Sequence, residues 1–188
     1  MKALGIDLAG SERRNSGVAY LEDGKLTCFV LHKDEEILEL SKGFSHIFID
    51  APLSLPKGRA NIQERGPHFR ACDLMLRERG IKFFPVSLGP MRLLTERGIR
   101  LKTVMEGWGK VVYEVFPGAF YDVMGVGRKD KKAILELYRK LGFNLEDRKY
   151  TKDEIDAIAC LLTGIMFLEG RAELLAGEDG AIIIPKAT

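Results

Sequence analysis

Residues 1–10 read MKALGIDLAG, an apolar run interrupted by one carboxylate, Asp7. The run has the character of a buried strand. A polar group left unsatisfied in such a place costs roughly 2–7 kcal/mol even when neutral. An acid there needs a partner, and the rest of the chain has to supply it.

The segments that follow read as strands and helices in a definite order. Residues 16–32, SGVAYLEDGKLTCFVLH, alternate as a half-buried antiparallel hairpin that turns at Asp23-Gly24. KDEEILELSKGF (33–44) is a short helix ending near Gly43, and HIFIDAP (46–52) is a second buried strand stopped by Pro52. Three antiparallel strands are thus followed by a crossover to a fourth, parallel one. SLPKGRANIQERGP (54–67) reads as a loop, PHFRACDLMLRERGI (67–81) as a helix with a basic face, FFPVSLGP (83–90) as a break, and MRLLTERG (91–98) as the start of another helix. KVVYEVFPG (110–118) is a third buried strand with a proline turn after it. KDKKAILELYRKLGF (129–143) is an amphipathic helix, YTKDEIDAIACLLTGIMFLEG (150–170) is a long final helix, and GEDGAIIIP (177–185) is a terminal strand or hairpin arm.

Length and composition set bounds on class. At 188 residues with 46% hydrophobic and 30% charged residues, the chain reads as one globular domain with a full-sized core. Cys28, Cys72 and Cys160 are too few and too scattered for a disulfide framework or a zinc site, which fits a reducing cytosol. The longest apolar stretch, Ile155 to Leu168, is too short to span a bilayer and carries Asp156. With no leader pattern ahead of the first strand, the expectation is a soluble cytoplasmic protein without membrane attachment. The net charge of +2 hides an asymmetry: between Lys57 and Lys102 eleven basic residues face four acidic ones. That segment is either a set of solvated helix faces or a surface for a phosphate backbone.

Three strands share one feature. In ALGIDLAG, HIFIDAPL and VVYEVFPG an acid follows the apolar run, so Asp7, Asp50 and Glu114 lie near carboxyl ends, where ligands bind in open α/β sheets. The last helix adds a fourth acid. Thr151 and Glu154 make a capping box, and Asp153 suits the first turn, but Asp156 lies past the cap among apolar neighbours. Four converging carboxylates repel one another, and a hard divalent cation, Mg²⁺ or Mn²⁺, relieves the repulsion. Two such ions about 3.5–4 Å apart are a known arrangement for phosphoryl displacement.

A three-strand meander opening on a central Asp, then helix, strand, further strand and an acid-bearing last helix resembles the ribonuclease H-like fold, shared by ribonuclease H and the Holliday-junction resolvases. More narrowly, GIDLAG…GVAYL, IDAPLSLP, the Arg70-to-Asp73 stretch, YEVFPGA and DEIDAIACLLTG, in that order, resemble a family of predicted nucleases catalogued as a domain of unknown function. The resemblance implies an α/β domain over residues 1–188 with a central mixed sheet flanked by helices. It places a basic helical insert at about 53–109 that arches over the site. It implies metal-dependent phosphodiester hydrolysis, with Asp7 bridging two ions, Asp50 or Glu114 holding one and Asp156 the other, and Asp153 as an outer or substitute ligand. Arg70 either contacts a phosphate or pairs with Asp73. Lys57, Arg59, Arg77 and Arg79 complete the expected nucleic-acid surface, for DNA or RNA. Two other functions compete. One is a non-catalytic nucleic-acid-binding domain on the same fold. The other is an actin-like or sugar-kinase-type ATP-binding protein, for which DLAGSERRNSG (7–17) would be the phosphate turn, although nothing fits the P-loop pattern.

Overall fold

The computed structural model describes residues 2–187. Five strands form one mixed sheet: β1 (Ala3–Asp7), β2 (Ser16–Glu22), β3 (Lys25–Leu31), β4 (His46–Asp50) and β5 (Val111–Glu114). Their spatial order is β3-β2-β1-β4-β5, antiparallel through the first three and parallel from β1 to β4 and from β4 to β5. The β2–β3 hairpin turns where expected, with Asp23 and Gly24 both at positive φ (50° and 77°), the backbone of a tight two-residue turn. Between β3 and β4 runs α1 (Asp34–Ser41), and between β4 and β5 run α2 (Ala71–Glu78) and α3 (Met91–Gly107). After β5 come α4 (Pro117–Met124), α5 (Lys131–Lys140) and α6 (Lys152–Leu168), then a separate hairpin of β6 (Ala172–Gly177) and β7 (Gly180–Pro185).

One of these elements differs from the expectation, and another completes it. The proline after β5 opens α4 instead of a turn: Pro117 occupies the first helical position, where its missing N–H costs nothing and its fixed φ helps. At the end of the chain both arms of the hairpin are strands, and β7 touches the main sheet through a parallel bridge from Ile183 to Val115.

The two-residue period of the strands sorts the core. Leu4, Ile6, Val18, Ile47 and Ile49 pack with α1 and α3 on one face. Ala19 and Phe48 pack with α4, α5 and α6 on the other. A third cluster joins α2 to the β6–β7 hairpin through Cys72, Leu76, Leu175 and Ile182. Helix α6 lies directly on the sheet because glycines leave room for it. A Cβ at Gly5 would stand 2.5 Å from the Leu161 nitrogen, and one at Gly17 would stand 2.0 Å from the Asp153 carbonyl oxygen. Among the described residues no helix is long and apolar enough to cross a membrane.

Candidate active site

Asp7 and Asp50 end neighbouring parallel strands in direct register. Asp7 follows Leu4 and Ile6 by odd steps, and Asp50 follows Ile47 and Ile49 likewise, so both carboxylates fall on the α6 face of the sheet. Asp7 is also paired across the ladder with Gly17, over which the Asp153 carbonyl sits. The bare glycine therefore lets the first turns of α6 bring Asp153 and Asp156 down to the two strand ends.

The electrostatics report this convergence. Burial raises the Asp7 carboxyl well above the usual carboxylate range, and the negative charges of Asp50, Asp156 and Asp153 raise it further. Asp50 is pushed up to about 7, chiefly by burial, with Asp156 and Glu114 adding to the rise while a hydrogen bond shared with Asp7 and the charge of Lys152 oppose it. Asp156 Oδ1 accepts from both Tyr121 Oη and Lys152 Nζ, each at 2.6 Å. Lys152 also lies over the Tyr121 ring, 4.7 Å from its centroid. Neither Tyr121 nor Lys152 was among the expected site residues. Tyr121 belongs to the unforeseen α4, whereas Lys152 carried a usable signal, four residues before Asp156 on one helix face.

Glu114 departs from its expected role. It pairs in register with Ile49, not with Asp50, so it lies on the opposite, α3-side face of the sheet. Its two oxygens accept from Arg70 Nη1 and Nη2 at 2.6 and 2.7 Å, and the first also accepts from the Leu53 nitrogen at 2.9 Å. Arg70 is 1% exposed and donates in addition to both oxygens of Asp73 and to Ser54 Oγ. Of the two roles expected for Arg70, the pair with Asp73 is the one formed, and its guanidinium is wholly engaged inside the protein. Glu114 is thus engaged by Arg70 and the Leu53 nitrogen, on the sheet face away from Asp7.

The remaining acids offer only oxygen donors beside one ammonium, the chemistry of a hard cation's site. Among the described residues no group of three or more His, Cys, Asp or Glu side chains is arranged to hold a metal ion as it stands. Asp156 is already engaged, its Oδ1 2.6 Å from Lys152 Nζ. With Lys152 displaced, Asp7, Asp50 and Asp156 would be the carboxylates to hold a cation, with Asp153 beside them.

Residues 5–180 match the profile of a family described as "Protein of unknown function (DUF429)". The chain belongs to this family. No curated protein matches the DUF429 chain in sequence. Its fold is that of the ribonuclease H-like proteins: Thermus thermophilus RuvC in complex with a Holliday junction substrate is similar at a TM-score of 0.50 and 12% identity, over 96% of this chain and 99% of that one. A second Thermus thermophilus RuvC structure has a TM-score of 0.45 and 15% identity, over 90% of this chain and 97% of that one.

The basic segment of the DUF429 chain is mostly committed internally. Arg59 braces its own loop by donating to the carbonyls of Asn61, Ile62, Gly66 and Pro67, which removes it from the expected nucleic-acid surface. Arg79 pairs with Glu173 and Lys57 with Glu178. Arg97, 2% exposed, reaches from α3 to the carbonyls of Ala9 and Ser11 and to Asp34, so it ties down the loop that follows Asp7. Sequence reasoning had no signal for that tie, because one arginine in a basic run looks like another. Of the expected contacts, Arg77 has no acidic partner among the described residues and lies over the Phe69 ring.

Proposed function

We propose that this protein is a divalent-metal-dependent nuclease whose site is Asp7, Asp50 and Asp156, with Asp153 as an outer ligand. The observation that carries the reading is geometric: Asp7 and Asp50 lie in register at the carboxyl ends of β1 and β4, with the acid-bearing start of α6 packed on Gly17 beside them. The similar Thermus thermophilus RuvC is complexed with a Holliday junction, which supports nucleic acid as the partner and leaves DNA and RNA both open. Mg²⁺ or Mn²⁺ between these carboxylates would polarise a phosphodiester and ease deprotonation of water.

The protein's own groups have definite tasks. Asp7, on the central strand, is the acid common to both neighbours, Asp50 across the parallel ladder and Asp156 on the helix. Lys152 neutralises Asp156 when it carries no other cation, and once displaced its ammonium is free to meet a phosphate oxygen. Tyr121, its hydroxyl proton held firmly by burial and by the nearby charges of Tyr138 and Asp156, fixes the Asp156 carboxylate in place. Arg97 keeps the Asp7 loop from moving away.

The test is cleavage of labelled single-stranded, double-stranded and four-way-junction DNA, of RNA and of a hybrid, each with Mn²⁺, Mg²⁺ or EDTA. Wild type should cut at least one substrate in a metal-dependent way, and Asp7→Asn should lose about a hundredfold or more of that activity. Full activity in Asp7→Asn overturns the assignment. The Lys152–Asp156 pair favours one second reading, a non-catalytic nucleic-acid-binding domain, because it matches an acid without any metal. Binding unchanged by EDTA, with no cleavage of any substrate, would select it.

A further inference from the structure

Beside the acids, two neighbouring hollows lie between α2, α4 and the segment joining α2 to α3. The outer one, about 820 Å³, is walled by Phe69, Phe83, Phe84 and Phe116. The inner one, about 190 Å³, shares the last three of these rings and ends on Asp50 and the Arg70–Glu114 pair. The second hollow thus lies on the other side of these shared rings and borders the candidate active site at Asp50. The size of the outer hollow lies within the roughly 300–1,000 Å³ of ordinary ligand pockets.

The lining has two features that folding alone does not require. Phe84 is 78% exposed, an apolar ring held in water at the groove mouth. Cations border the rings: the Arg77 guanidinium is 4.4 Å from the Phe69 centroid and that of Arg128 is 5.2 Å from the Phe116 centroid, with Lys82 between them in the wall. Arg128 is paired with Asp122, whereas Arg77 and Lys82 carry no ion pair among the described residues. The exposed Phe84 ring and the unpaired charges of Arg77 and Lys82 therefore line one hollow, beside the one that Asp50 borders.

We propose that this groove binds unpaired bases of a nucleic-acid strand, stacking a base on the exposed Phe84 ring while Arg77 and Lys82 hold the phosphates. A single strand offers one π-face and one negative charge per nucleotide, the complement of this lining. A duplex hides its base faces in the stack and gives Phe84 nothing to meet. The proposal rests on nucleic acid as partner, as argued above, and names the strand type that the same site receives. It does not depend on cleavage.

The experiment is fluorescence anisotropy with the whole protein in EDTA, using a labelled oligothymidylate of about 12 nucleotides, an abasic strand of equal length and a duplex. The thymidylate should bind roughly tenfold or more tightly than the abasic strand or the duplex. Phe84→Ala, at an exposed position that leaves the fold intact, should erase that difference without changing abasic binding, and Phe84→Trp should restore it. Arg77→Ala and Lys82→Ala should weaken both strands alike and flatten the salt dependence. Equal binding of thymidylate and abasic strands, or no effect of Phe84→Ala on the thymidylate, overturns the groove. The nuclease reading fails separately: base-dependent binding sensitive to Phe84→Ala, with no cleavage in Mn²⁺ or Mg²⁺, leaves the groove standing and removes the hydrolase. Metal-dependent cleavage sensitive to Asp7→Asn, with binding indifferent to Phe84, does the reverse.

Discussion

Asp50 and Glu114 close adjacent strands, yet their side chains leave the sheet on opposite faces and enter opposite electrostatic settings. Asp50 meets other acids, and its carboxyl is raised to about 7. Glu114 meets Arg70, whose charge it satisfies in a buried network. A carboxyl with a raised folded pKa keeps a proton that the unfolded chain releases, so stability falls as pH climbs from about 4 through about 7. Asp50→Asn removes that penalty. It should stabilise the metal-free protein by about 2 kcal/mol at about pH 8, roughly 4–8 °C in Tm, with the gain fading below about pH 4. Glu114→Gln should instead cost about 1–3 kcal/mol at about pH 8, because it replaces a carboxylate oxygen that accepts a buried Arg70 bond and leaves Asp73 as the guanidinium's one acidic partner. Thermal melts at the two pH values measure both. A destabilising Asp50→Asn at the higher pH, or a neutral Glu114→Gln, would reverse the assignments made here.

At the scale of elements, the junction of α6 with β1 and β2 builds the site. The helix is apolar on nearly every side and is capped by the reciprocal bonds of Thr151 and Glu154, so its first turn is rigid where Asp153 and Asp156 project. Its approach depends on Gly5 and Gly17, where a methyl group would strike backbone atoms that cannot step aside. Gly17→Ala should therefore cost about 3 kcal/mol, the upper range for overpacking, and should lower any cleavage activity by displacing the acids. Gly107→Ala, at the end of α3 with open space around it, serves as the control and should leave both stability and activity unchanged. Urea denaturation of the two variants separates the outcomes, and equal stability for both would mean that α6 does not sit as closely as described.

Across the whole molecule, folding concentrates negative charge at one sheet edge and places free positive charge along the neighbouring groove. A divalent cation entering the acidic edge competes with protons on Asp7 and Asp50, so its effect on stability should grow with pH. Added Mn²⁺ should raise Tm more at about pH 8 than at about pH 6, where Asp50 is largely protonated, and Asp7→Asn should abolish the shift. A shift that is equal at both values and survives Asp7→Asn would place the ion elsewhere on the protein. The same separation of charge explains why a net value of +2 says so little about partners: opposite signs occupy different surfaces.

Much of this was legible without coordinates. The alternation of SGVAYLE and KLTCFVL, the Asp23-Gly24 turn, the capping box at Thr151 and the all-round apolar character of α6 are short-range signals, each set within about one or two turns or a few strand residues. They specify the elements and put Asp7, Asp50 and Asp156 at ends where acids are conspicuous. What the sequence left open was the register of distant segments and the partners of their side chains. The β5 register sends Glu114 to the face away from Asp50, and a shift of one residue would reverse it. Arg70 and Glu114 stand 44 residues apart, and Arg97 reaches a loop 88 residues before it. Local patterning reads an arginine only as charge. Packing decides whether that charge is buried against an acid, bound to backbone carbonyls or left for a ligand, because desolvation makes each guanidinium inside the protein take whatever partner the fold brings within reach.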